Sequence, residues 1–159
     1  MAKRAFRNHN KMETLKIGSG IRQIQAEAFY NCTRLKTVSM GKDVEILGEK
    51  AFMNDKNLTS VVIGNGVKTL GNQVFRNNKS LKRVVIGKNV AVIGSKVFMD
   101  DKKLKDITFT GKKLKSVGKS AFRGIAGNAR IKVPRTKYNA YRKLLKDKGQ
   151  KKTVVIQKK

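Results

Sequence analysis

Apolar residues recur along this chain with a period of about 23. Phenylalanine falls at Phe6, Phe29, Phe52, Phe75, Phe98 and Phe122, in steps of 23, 23, 23, 23 and 24, each time after Ala or Val. Six residues past the first five stand Met12, Leu35, Leu58, Leu81 and Leu104. Nine past stand Leu15, Val38, Val61, Val84, Ile107 and Ile131; eleven past stand Ile17, Met40, Ile63, Ile86, Phe109 and Val133. A glycine then closes the segment at Gly18, Gly41, Gly64 and Gly87. A second apolar pair follows: Ile21/Ile24, Val44/Leu47, Val67/Leu70, Val90/Ile93 and Leu114/Val117.

The two apolar positions nine and eleven past Phe flank one outward residue, the period of a short half-buried strand. Stacked one repeat apart, these segments predict a parallel ladder at 15–17, 38–40, 61–63, 84–86, 107–109 and 131–133. Thr153-Val154-Val155-Ile156 looks like Arg83-Val84-Val85-Ile86 and is expected to add a seventh rung. Each repeat Phe is expected to be buried on the return side. One such coil cannot offset its own ordering entropy; it needs neighbours to cover its faces, which makes the array a solenoid whose coils stand together. The expected fold class is therefore a repeat solenoid, α/β or mainly β, of five to six coils. Residues 1–133 form the array and 134–159 a cap continuous with it.

Both ends depart from the pattern. Ala2-Lys3-Arg4-Ala5-Phe6 aligns with Gly48-Glu49-Lys50-Ala51-Phe52, so the chain begins in mid-coil and reads as a piece of a longer array with an open, fraying first coil. The fifth unit carries one extra residue between Phe109 and Leu114, a local bulge. Beyond Pro134, Thr136 is expected to N-cap a helix with Tyr138, Tyr141 and Leu145 on one face and Leu144 beside it. Gly149 is expected to stop that helix.

These residues also carry a resemblance. Gly48-x-x-Ala51-Phe52-x-x-x-x-x-Leu58-x-x-Val61-x-Ile63, with Cys32 three residues past Phe29, resembles the BspA-like, Treponema-type leucine-rich repeat of bacterial surface proteins. The tail from Ile131-Lys132-Val133-Pro134 through Tyr141-Arg142-Lys143-Leu144-Leu145 to Val154-Val155-Ile156 is similar to the lysine-rich end of such proteins in Gram-positive gut anaerobes. The resemblance spans essentially the whole chain. It implies a right-handed leucine-rich-repeat solenoid with a parallel strand ladder and a helix-plus-strand cap. It also implies a non-catalytic protein that is secreted or displayed on the cell surface and adheres to host proteins or other cells. This chain departs from many relatives in having glycine in place of proline after the strand, and no export signal is evident in it.

Charge changes the picture of possible partners. Lys and Arg total 38 against 10 Asp and Glu, a net charge of +28, and such a surface attracts anionic polymers. From Ile131 onward eleven basic residues face one acid, Asp147. Trp is absent and Tyr occurs three times, which argues against base-stacking recognition of single strands. No apolar run approaches a membrane span. A single cysteine, Cys32, excludes an internal disulfide.

Three residues past each Phe stand His9, Cys32, Asp55, Asn78 and Asp101. Stacking would bring His9, Cys32 and Asp55 into a row resembling a nucleophile–base–orienter set or three metal ligands. A repeat register produces such columns without any chemistry, however, and a turn position suits a small Cys or an Asn or Asp that accepts backbone N–H bonds. The next column, Asn8, Asn31, Asn54, Asn77 and Asp100, reads as turn formers. Gly64-Asn65-Gly66 lacks the strand-to-helix context of a phosphate loop. No catalytic residue, metal ligand or cofactor is assigned.

The outward strand positions remain as the candidate binding surface: Thr14 and Lys16, Thr37 and Ser39, Ser60 and Val62, Arg83 and Val85, Asp106 and Thr108, Arg130 and Lys132, then Thr153 and Val155. Small hydroxyls and exposed valines suit a protein partner, host or cell-surface, better than a nucleic acid. The competing reading is a polyanion binder, for nucleic acid, acidic glycan or cell-wall polymer, acting through its overall field.

Overall fold

The computed structural model describes residues 1–159 as a parallel β-solenoid of about six turns, ending in one helix and a final strand. The first sheet has seven strands in spatial order: β1 (Thr14–Lys16), β3 (Thr37–Ser39), β5 (Ser60–Ile63), β7 (Arg83–Ile86), β9 (Asp106–Phe109), β11 (Arg130–Val133) and β12 (Val155–Lys158). Each pairs in parallel with the next coil; Arg83 faces Asp106 and Val84 faces Ile107. Strands open one residue earlier than the apolar pattern suggested, because the outward residue before the first inward one already joins the ladder. The fold is mainly β, with eight residues in α-helix.

A second parallel sheet was not foreseen. It runs β2 (Gln23–Ile24), β4 (Ile46–Leu47), β6 (Thr69–Leu70), β8 (Val92–Ile93) and β10 (Ser116–Val117). Each strand offers only one inward residue, so no alternation betrays it. Ser116 pairs with Val92, 24 residues away, while Asp106 pairs with Arg83, 23 away; the extra residue of the fifth coil lies between.

Between the sheets the chain returns through a run of tight turns. In each coil the residue two before Phe and the one two after it are left-handed, as at Lys50 (φ 56°) and Asn54 (φ 69°). That alternation aims backbone N–H groups along the solenoid axis. Phe52 N–H donates to Val74 O at 2.9 Å and Phe75 N–H to Val97 O at 3.0 Å. The phenyl rings stack with centroids 5.2–5.7 Å apart and planes within 13° of parallel, an offset arrangement that favours aromatic contact. From Phe29 to Phe122 they are fully buried in one continuous core. Phe6 differs from expectation: it is 38% exposed, because a neighbouring ring covers it on one side only. Glycine at the end of β7 answers a close approach, since a Cβ on Gly87 would lie 2.4 Å from Gly64 O.

The cap corrects three expectations. Thr136 does not cap the helix. Pro134, φ −56°, leads into a 3-10 turn at Arg135–Lys137, and α1 (Tyr138–Leu145) continues from it with no side-chain cap bond. Thr136 lies inside that 3-10 turn, not just ahead of it, so its hydroxyl is not placed to accept the first-turn N–H groups as a cap would; Lys137 N–H donates to Pro134 O at 2.9 Å instead. Nor does Gly149 stop the helix: Lys146 is already extended, and Gly149 (φ +92°) serves the following return, where a Cβ would meet Arg123 Cβ at 2.7 Å. That return stands in for a further coil, because Phe122 N–H donates to Lys148 O at 3.0 Å.

The third correction is the seventh rung. Ile156 pairs with Ile131 and Val155 with Arg130, two residues out of the expected register. Thr153 lies outside the strand, its hydroxyl donating to Gly127 O at 2.5 Å, and Gln157 takes the outward place beside Lys132. Tyr141 and Leu145 bury against the last coil as expected, with Tyr138 and Leu144 half-buried beside them. No helix is long and apolar enough to cross a membrane.

Candidate binding face

The polar column next to the phenylalanines carries the residue types most like those of an active site. Cys32 N–H donates to Asp55 Oδ1 at 2.8 Å, Asp55 N–H to Asn78 Oδ1 at 2.7 Å, and Asn78 N–H to Asp101 Oδ1 at 2.8 Å. Two of these side chains also reach back to a carbonyl: Cys32 Sγ–H to Phe6 O at 3.2 Å and Asn78 Nδ2–H to Phe52 O at 3.0 Å. Cys32, Asp55 and Asn78 thus each tie three coils together, while Asp101 ends the series. Asp55 and Asp101 are fully buried, and their second oxygens, Oδ2, have no hydrogen-bond partner. Burial pushes both carboxyls well above the usual aspartate range. In its protonated form each would carry a hydrogen to donate, as the Asn78 amide donates to Phe52 O.

His9, Cys32 and Asp55 do share a column, but they form no relay. Asp55 spends its bonded oxygen on backbone, the Cys32 thiol faces Phe6 O, and the exposed His9 ring lies edge-on to Phe6 at 6.2 Å. Burial, and then the Asp55 carboxylate, push the Cys32 thiol up to about 12, the opposite of what an activated nucleophile requires. No group of three His, Cys, Asp or Glu side chains is placed to hold a metal ion. The asparagine column behaves as turn formers, with side chains linked along the axis: Asn31 Nδ2 donates to Asn8 Oδ1 at 3.0 Å and Asn77 Nδ2 to Asn54 Oδ1 at 2.7 Å.

The outward positions of the first sheet form two parallel rows. One holds Thr14, Thr37, Ser60, Arg83, Asp106, Arg130 and Val155; the other Lys16, Ser39, Val62, Val85, Thr108, Lys132 and Gln157. Thr14, Lys16, Thr37, Ser39, Ser60, Val62, Arg83 and Arg130 are exposed, while Val85, Asp106, Thr108 and Lys132 are half-buried between neighbours. Thr37 Oγ1 donates to Thr14 Oγ1 at 3.3 Å. Glu13, before β1, takes Lys36 at 2.9 Å and Arg34 at 3.0 Å, and these cations hold its carboxyl below the usual range. Such exposed pairs add little to stability.

A hollow in this face escaped sequence reading. Val62, 60% exposed, faces Val85 in register; Gly64 and Gly87 supply no side chains beside them, and Lys88 and Thr110 stand at the margin of a shallow cavity of about 460 Å³. The signal lay in two outward valines on adjacent coils, each followed two residues later by glycine.

The BspA type leucine rich repeat region matches the chain in 6 copies over residues 1–139. No match is found among curated protein sequences. Among solved structures, the chain is similar to a leucine-rich repeat protein of T. pallidum, with a TM-score of 0.72 and 23% identity over 91% of this chain and 76% of that one. It is similar to the pneumococcal vaccine antigen PcpA, with a TM-score of 0.79 and 22% identity over 99% of this chain. A leucine-rich repeat protein from Bacteroides ovatus gives a TM-score of 0.55 and 21% identity over 91% of this chain. The chain spans 39% of the pneumococcal antigen and 30% of the Bacteroides protein. These structural likenesses agree in fold with the six-copy repeat match, a family typically without catalytic activity. The chain therefore belongs to the BspA-type leucine-rich-repeat family.

Proposed function

We propose that this chain is the binding module of a secreted or surface-displayed bacterial protein and takes a protein partner along the outward face of its first sheet. Seven rungs at about 4.8 Å spacing make a rigid face about 30 Å long, held in place before any partner arrives. The observation that carries the reading is the Val62–Val85 hollow, an apolar opening on a face otherwise of hydroxyls and charges. An apolar side chain seated there would act as an anchor, with Asn65, Lys88 and Thr110 at the margin and Ser60, Arg83 and Thr108 on neighbouring outward positions supplying polar contacts. The family is consistent with a role in recognition, since repeat proteins commonly bind along such extended faces.

The test is an array of extracellular host proteins and bacterial surface proteins, probed near about 0.15 M salt, where long-range charge attraction is largely screened. The wild-type chain is expected to retain a discrete protein partner there, and Val62→Asp to weaken that partner about 30-fold, the scale of a hot-spot residue. Retention of acidic polymers alone, with no protein affected by Val62→Asp, would replace this function with the polyanion reading.

A further inference from the structure

Beside the second sheet lies a trough with a different chemistry. The position immediately before each of its strands holds Arg22, Glu45, Lys68, Ala91 and Lys115 in successive coils. Ala91 is the one small residue of that row, and it leaves a depression between Lys68 and Lys115. The fifth coil, longer by one residue, then sets Lys112 and Lys113 on one side, and the 3-10 turn before α1 adds Lys137. The resulting cavity, of about 620 Å³, has Ala91 and Leu114 among its lining and no carboxylate. Among the five lysines only Lys68 has an ion-pair partner, Glu45 at 2.9 Å.

The lysine pair is held in place. Tyr141, buried under α1, donates its hydroxyl hydrogen to Gly111 O at 2.8 Å and accepts from Leu114 N–H at 3.0 Å. Both ends of the Gly111–Leu114 bulge are thus clasped by one phenol, and Lys112 and Lys113, between them, are exposed. Four lysines without ion-pair partners line one hollow; like charges so placed repel each other, and an anion that neutralises them relieves that repulsion. No aromatic residue lines the trough, so neither a base nor a sugar ring has a platform; no arginine lines it, so planar two-point recognition of a carboxylate is absent. What remains suits compact point charges.

We propose that this trough is a binding site for closely spaced phosphate or sulfate groups, held by Lys112, Lys113, Lys115 and Lys137 with Lys68 at the edge. None of its residues belongs to the outward rows of the first sheet, and the site does not depend on the protein-binding role assigned there.

Two probes separate the sources of such groups: tripolyphosphate for free oligophosphates, and a heparin-derived hexasaccharide for sulfated glycans. Binding is measured by calorimetry near about 0.15 M salt for the wild-type chain and two variants of equal net charge. One carries Lys112→Gln, Lys113→Gln, Lys115→Gln and Lys137→Gln; the other carries Lys102→Gln, Lys103→Gln, Lys152→Gln and Lys159→Gln, all exposed and without ion-pair partners. Unfolding midpoints confirm that both variants fold. The trough variant is expected to lose about tenfold or more in affinity for at least one probe, and the matched variant less than about threefold. Whichever probe responds names the source. Equal losses in the two variants would assign the binding to net charge alone and overturn the site, as would failure of the wild-type chain to bind either probe.

Discussion

The column three residues past each phenylalanine and the outward rows of the first sheet are both products of stacking, yet they serve opposite ends. In the column, Cys32, Asp55, Asn78 and Asp101 bring nucleophile, carboxyl and amide types within one coil spacing of each other, and all four are fully buried with backbone for partners. In the outward rows the residue types are unremarkable hydroxyls, valines and charges, and most have no partner within the chain. Chemistry-bearing residue types point to function only when some of their bonding capacity is left over. In the column most of that capacity is consumed in joining coils, and the leftover Oδ2 atoms of Asp55 and Asp101 are buried out of a ligand's reach; on the outward face hydroxyls and charges stay both free and exposed, beside the exposed Val62.

The largest expected effect is on the packing that both columns share. Phe75→Ala should cost about 3–5 kcal/mol in denaturant unfolding and loosen the coils on either side, whereas Phe6→Ala, already partly exposed, should cost clearly less. Next comes the acid test of the buried column. The carboxyls of Asp55 and Asp101 deprotonate more readily in the unfolded chain, from about the ordinary 3.8, than in the folded one. Between those two values the folded state holds more protons, so wild-type stability falls as pH rises above about 4, by at most about 1.4 kcal/mol per pH unit for each carboxyl. Asp55→Asn with Asp101→Asn should flatten that slope and stabilise the chain at neutral pH, because each amide has a hydrogen for a carbonyl, as Asn78 shows. Unfolding curves between pH 4 and about 8 read this directly, and a double variant less stable at neutral pH would mean that the carboxylates are charged and needed. On the outward face, Arg83→Ala or a bulky Ser60→Leu should weaken a bound protein by a discrete amount with little change in salt dependence, read by titration at two salt concentrations. The smallest effect is Cys32→Ser, about 1 kcal/mol or less. The same thiol should also resist alkylation at pH 8, consistent with its elevated pKa near 12.

Much of this was legible because a solenoid repeats its constraints. Phe29, Leu58, Val61 and Ile63 were identifiable as core residues because each stands in a column of similar residues, and the Asn31–Asn54–Asn77 turn column was legible because asparagine tolerates a left-handed backbone. Its counterpart two residues before Phe was not. Arg4, Glu27, Lys50, Gln73, Lys96 and Ser120 adopt positive φ without any residue preference to announce it; in the first five, the backbone N–H donates to the next coil. The register of β12 was misread because Val154 and Ile156 point inward in either alignment, and a helix, not a fixed coil length, separates β12 from β11. Thr136 does not cap because the chain turns at Arg135, directly after Pro134, which leaves the hydroxyl inside the first turn. The outward rows were correctly placed up to Lys132, but the hollow between Val62 and Val85 depends on side chains missing at two glycines, and the lysine trough on one inserted residue and one alanine. Departures from a repeat, more than the repeat itself, mark where its surface becomes particular.

One measurement sets the two columns against each other. The wild-type chain, the outward variant Val62→Asp with Val85→Asp, and the buried variant Cys32→Ser with Asp55→Asn are titrated against the protein partner retained near about 0.15 M salt. The outward variant is expected to lose about 30-fold or more in affinity at unchanged unfolding midpoint, and the buried variant to bind as the wild type does. Loss of binding in the buried variant, with the outward variant unaffected, would contradict the account and return function to the interior column.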